Sequence, residues 1–167
     1  QYLELFSISL TQAQMQAVDT SFFSEQGKQP CFNHKQARLM RYQGHLYVLP
    51  LESSPKHGVL EQGKAEREFD TYRLALSLPT DLRLDDFYLA DKPLSANLIL
   101  ANGHSRKLKK WFNDEQVPVW WREHLPYLYY QEELIAIADL WIKPSLVSKI
   151  QLQWQPKAEL IWPNTRL

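Results

Sequence analysis

Apolar and polar positions change their period several times along the chain. Between Thr11 and Phe23, the residues Ala13, Ala17, Val18, Ser21 and Phe22 recur on one weakly apolar helical face. Thr11 followed three residues later by Gln14 reads as a capping box, so a helix is predicted from about Gln12 to Phe23. Ahead of it, Tyr2 to Phe6 reads as the end of a helix already under way, which suggests a piece of a longer protein. Gly27 is expected to end the second helix. Pro30 to Asn33, Ala37 to Tyr42 and His45 to Leu49 then read as short strands, with Gln43 and Gly44 joining the last two as a hairpin.

A cluster of turn formers from Ser53 to Gly58, followed by a polar stretch from Glu61 to Asp70 without a strong apolar period, marks a boundary. Two units are expected, residues 1–60 and residues 70–167. The second opens with an alternating strand, Tyr72 to Leu78, stopped by Pro79. Asn97 to Leu100 reads as another strand. Asn102 and Gly103 then turn the chain into Ser105, an expected N-cap for a helix from Arg106 to about Asp114. Strands follow at Tyr127 to Tyr130 and Leu134 to Ile137, with a last one near Ile150 to Trp154. The fold class is α+β: a helical unit with a short antiparallel sheet, then a mixed strand and helix domain.

Composition permits a folded core, since 44% of the 167 residues are hydrophobic and 13% aromatic. The formal net charge is zero, so polyanion binding would have to come from local clustering. That clustering exists. Residues 27–49 hold Lys28, Lys35, Arg38 and Arg41 without an acid, and residues 101–122 hold five cations against Asp114 and Glu115. Residues 51–92 reverse the balance, with nine acids against six cations. Cys31 is alone, which excludes an internal disulfide framework and a cysteine-rich zinc site, and fits a reducing, cytoplasmic setting. No apolar stretch approaches the roughly 20 residues a bilayer span needs, so no membrane partner is expected.

On a helix starting at Arg106, the residues Arg106, Lys109, Lys110 and Asn113 share one surface while Leu108, Trp111 and Phe112 take the other. Arg106 and Lys107 would then sit in the first turn, where cations oppose the helix dipole, an arrangement that invites an anion. An ordinary solvated amphipathic helix has the same spacing. Trp111, Trp120 and Trp121 could stack bases, but tryptophans between Pro118 and Pro126 more often plug a small core. Arg122 could grip a phosphate or pair with Glu123, Glu132 or Glu133. In the first unit, Arg38 and Arg41 fall on opposite faces of their strand, one as an edge guard and one as an RNA contact. The five histidines show no metal-ligand spacing, and no phosphate-binding or nucleophile motif is present, so neither a metal nor a catalytic centre is expected.

The run Arg106-Lys-Leu-Lys109, then Asp114 and Glu115, Pro118-Val-Trp-Trp-Arg122, Pro126-Tyr-Leu-Tyr129 and Leu134-Ile-Ala136 resembles the C-terminal region of the tRNA(Ile)-lysidine synthetase family. The pattern there is R-K-L-K, a short acidic stretch, P-P-W-L-R, P-L-hydrophobic-Y and L-I-A. Met40 to Leu49 is similar to the family's R-R-Y-x-G-x-L-Y-L-L segment. The resemblance implies a part of an ATP-dependent ligase that joins lysine to the wobble cytidine of the CAU-anticodon isoleucine tRNA.

It further implies that ATP, with Mg, belongs to an N-terminal catalytic domain bearing an S-G-G-x-D-S loop. That loop is absent here, so no cofactor is expected in this chain. The partner implied is that tRNA, held by its body and acceptor stem, with no DNA; a homodimer of the full-length protein is left open. By position, the family's basic segment maps to Arg106, Lys107 and Lys109, and the arginine of P-P-W-L-R to Arg122. Lys110, Arg38 and Arg41 complete the expected tRNA-binding set. Residues 98–104 depart from the Arg- and Gly-bearing strand of many members, and Val119 replaces a proline. The runner-up reading is a protein interaction module with an aromatic docking surface.

Overall fold

A computed structural model describes residues 3, 8–23, 30–51, 66–69 and 72–156. The segment 2–6 apart from Leu3, the expected helix stop at Gly27, and the turn cluster at 53–58 lie outside the described residues. The chain divides into two compact units, Gln1–Ser53 and Ser54–Leu167.

In the first unit, helix α1 spans Gln12–Phe23. Its start is the reciprocal capping box: the Thr11 amide donates to Gln14 Oε1 at 2.9 Å, and the Gln14 amide donates to Thr11 Oγ1 at 3.3 Å. Of the predicted apolar face only Val18 and Phe22 are buried. Strands β1 (Cys31–Asn33), β2 (Ala37–Tyr42) and β3 (His45–Pro50) form an antiparallel sheet in that order. Gln43 and Gly44 both adopt positive φ, at 49° and 80°. Such a two-residue loop matches the twist of the strands it joins, and Gly is free to adopt that backbone. The register sets Leu39 against Val48 and Phe32, and these strands close with Ile8, Val18, Phe22 and Ala37 into one apolar cluster.

The second unit is assembled from β4 (Glu66–Glu68), β5 (Tyr72–Ser77), β6 (Phe87–Ala90), β7 (Asn97–Ile99), β8 (Ser105–Lys107), α2 (Leu108–Asp114), α3 (Val119–Arg122), β9 (Tyr127–Tyr130), β10 (Glu133–Ile137), β11 (Trp141–Ile142) and β12 (Gln151–Pro156). Among the described residues, every pairing is antiparallel, in sheets ordered β11-β10-β9-β6, β12-β5-β4 and β7-β8. The architecture is therefore α+β. Alternation decides burial in β5 and β12: Tyr72, Leu74, Leu76, Leu152 and Trp154 face inward while Arg73, Gln151 and Gln153 face water. Gln131 and Glu132, both at positive φ, make the tight turn between β9 and β10.

One expectation is corrected. Ser105 does not cap a helix beginning at Arg106; Ser105, Arg106 and Lys107 are the strand β8, paired with Ile99, Leu98 and Asn97. The cause lies in the Asn102-Gly103 turn. The Leu100 amide donates to the His104 carbonyl at 2.9 Å, and Gly103 sits at φ 80°, so the chain folds back as a hairpin. The ladder runs on to Leu108, whose amide donates to the Ala96 carbonyl at 2.9 Å. Only there does α2 begin, with Lys107 as its N-cap and no side-chain capping bond. The strands β4, β6, β8 and β11 and the short helix α3 are additional to the predicted elements.

Candidate nucleic-acid interface

Helix α2 is held down by Leu108, Trp111 and Phe112, all buried at the i, i+3, i+4 spacing of one helical face. That anchoring leaves Lys109 and Lys110 exposed on the opposite side, with Lys107 exposed at the helix entrance. Among the described residues, none of these three lysines makes an ion pair. Three neighbouring ammonium groups raise the potential over this face, since the nearby Asp114 is taken by Arg106, and long lysine stems let each reach a separate phosphate.

The arginines behave differently. Arg106 donates through Nε to Asp114 Oδ2 at 2.7 Å and through Nη2 to the same oxygen at 2.5 Å. It fastens β8 to the last residue of α2, so part of its charge is already answered. Arg122 donates from Nε and Nη2 to the Val117 carbonyl at 3.0 and 2.8 Å, and from Nη2 to Asn113 Oδ1 at 2.8 Å. Its guanidinium lies over the Phe112 ring, 5.1 Å from the centroid. Arg122 is thus a brace for the turn that leaves α2. Glu123 is bonded by Lys92, and Glu133 by Lys143.

Trp111, Trp120 and Trp121 are all buried, and Trp121 meets Trp154 edge to face with centroids 5.1 Å apart. They form core, so the aromatic docking surface of the runner-up reading has lost its tryptophans. The Tyr127 hydroxyl donates to the Arg122 carbonyl. Burial first, and then the Glu123 charge, push this phenol well above its ordinary range, so it stays a neutral donor that fixes the end of α3.

In the first unit, Arg38 and Arg41 are both half-buried on β2, and Arg41 donates to the Phe22 carbonyl at the end of α1. Arg41 joins helix to sheet there. Lys35 is exposed beside them. Among the described residues there is no cluster of His, Cys, Asp and Glu that could hold a metal ion, and no helix long and apolar enough to cross a membrane.

Lys107, Lys109 and Arg122 border one groove of about 530 Å³, together with Lys92 and the exposed Leu94 and Val119. Lys92 was not among the predicted site residues. It closes an acidic stretch of sequence, and only folding brings it across from α2.

Residues 96–158, covering the basic hairpin, α2, α3 and the strands β9 to β12, match the family described as the TilS substrate C-terminal domain. Curated relatives carry the name tRNA(Ile)-lysidine synthase. The protein of Pectobacterium atrosepticum is 30% identical over 131 residues, covering 68% of this chain and 28% of that protein. That of Vibrio parahaemolyticus is 26% identical over 151 residues, covering 83% of this chain and 33% of its own length. A shorter match to the Vibrio vulnificus protein reaches 41% identity over 54 residues, 32% of this chain and 12% of that protein. The chain thus spans about a third or less of these relatives, aligning with their C-terminal part.

Proposed function

We propose that this chain is the tRNA-recognition part of a tRNA(Ile)-lysidine synthase, the cytoplasmic ligase that uses ATP to join lysine to the wobble cytidine of CAU-anticodon isoleucine tRNA. The observation that carries the reading is the position of Lys107, Lys109 and Lys110, which make no ion pair among the described residues: they lie inside the stretch that matches the TilS substrate C-terminal domain. In this reading the chain itself performs no chemistry. ATP and Mg are held by a separate nucleotide-binding domain, and these units hold the body of the tRNA while its anticodon reaches that domain. Arg106 and Arg122 support the lysine surface from beneath, and Arg38 and Arg41 lend positive charge to the acid-free stretch of residues 27–49 in the first unit. Phosphate contacts position a nucleic acid and dominate its affinity, so binding should weaken steeply with salt.

The test is the affinity of the chain for unmodified CAU-anticodon isoleucine tRNA beside elongator methionine tRNA, each at low and at near-physiological salt. Salt-steep binding that favours the isoleucine tRNA is expected. Failure to bind either tRNA at low salt would remove the recognition role.

A further inference from the structure

The groove beside the lysines contains more than a phosphate surface requires. A duplex presents its phosphates as outward rails and keeps its bases stacked inside, so a patch of lysines alone would suffice for it. Here the lip of the groove is apolar: Leu94 is fully exposed and Val119 is 45% exposed. Buried Phe112 lines it, with the Arg122 guanidinium over the ring. Lys92, Lys107 and Lys109 stand around this apolar surface, and the one acid on the lining, Glu123, is bonded to Lys92. The volume, about 530 Å³, lies in the range of small-ligand sites.

We infer that this groove receives a single unpaired nucleotide of the bound RNA, its base covering Leu94 and Val119 and its phosphates meeting Lys107 and Lys109. This rests on the tRNA-recognition reading above. The charge fits an anion, and the uncovered apolar lip fits the face of a base, which gains from stacking or apolar contact whatever its sequence. Arg122, held by Val117 and Asn113, supplies a fixed rather than a searching cation at the back of the groove. A paired base has no face to offer, because its neighbours in the stack already cover it. The site therefore distinguishes an unpaired nucleotide from a helix, and it does so beside lysines that can hold either.

The experiment compares wild type with Leu94→Ser and Val119→Ser, both neutral changes at exposed positions, using a fluorescently labelled single-stranded RNA and a blunt-ended RNA duplex of equal length. Each variant should bind the single strand about fivefold more weakly or worse while its affinity for the duplex is unchanged. Lys109→Ala should weaken both. If neither serine variant loses single-strand affinity, or if both RNAs lose alike, the nucleotide site is refuted while tRNA recognition stands, and the apolar lip then belongs to a protein contact. If wild type binds no RNA at low salt, the recognition reading falls, and the nucleotide site with it.

Discussion

Replacing Lys107, Lys109 and Lys110 together by alanine removes three exposed positive charges that have no ion-pair partner among the described residues. An ammonium about 4 Å from a phosphate in water contributes roughly 1 kcal/mol. Three such contacts give about 3 kcal/mol, or roughly a hundredfold in affinity at low salt. Each lost contact should also reduce the slope of log affinity against log salt by about 0.7 to 0.9, so the triple variant should flatten it by roughly two units. The assay is fluorescence-anisotropy titration of isoleucine tRNA across a salt series, with circular dichroism and a thermal melt confirming that the exposed substitutions leave the fold intact. A control separates these lysines from Arg106. The variant Arg106→Ala/Asp114→Ala deletes a surface ion pair without changing net charge, so it should shift affinity by about 0.5 kcal/mol or less. A triple variant with undiminished affinity and slope would refute the lysine surface, and a large loss in the double variant would move the contact to Arg106.

Two further outcomes probe the scaffold. Trp121→Ala empties a fully buried site against Trp154 and should cost about 3–5 kcal/mol in urea unfolding, whereas a loss near zero would mean the indole is not core. Tyr127→Phe leaves the Arg122 carbonyl without its buried donor, costing about 1–3 kcal/mol near neutral pH. Its pH profile carries a sign. Burial raises the folded phenol above its ordinary 10.0, so the stability it confers is whole below pH 10 and is lost as pH rises past that value. Stability measured between pH 8 and about pH 11 should fall less in Tyr127→Phe than in wild type, while Tyr129, raised by burial and then by Tyr88, keeps its own part of the fall. An equal alkaline fall in both proteins would refute the burial argument.

Local chemistry explains what could be read from the sequence. The capping box of Thr11 and Gln14 and the Gln43-Gly44 hairpin each close within a few residues, and both formed as their residues dictate. The tryptophans between prolines packed inward for a similarly local reason. The start of α2 was not legible, because Arg106 and Lys107 suit a helix as well as a strand and only pairing with Leu98 and Asn97 decides between them. The strand β4 carries Glu66 and Glu68 on a solvent edge, so it shows no apolar period, and β11 is two residues long. At the site, the charges were visible but their engagements were not. Asp114 reaches Arg106 across eight positions, and Lys92 arrives from a stretch that reads as acidic.

The pairing of β5 with β12, Tyr72 opposite Pro156 through Ser77 opposite Gln151, joins the beginning of the second unit to its last described strand. A ribosome makes β5 long before β12. At about 5–20 residues per second, the nascent chain carries Leu74 and Leu76 without their final partners, Trp154 and Leu152, for several seconds. The family match begins only at residue 96, so this early strand lies outside it although the late one pairs with it. An expression fragment cut to the matched stretch would leave β12 without β5 and expose a sheet edge to aggregation. A pause in translation before Gln151 would leave β5 in turn without β12, holding its edge open for as long as the pause lasts.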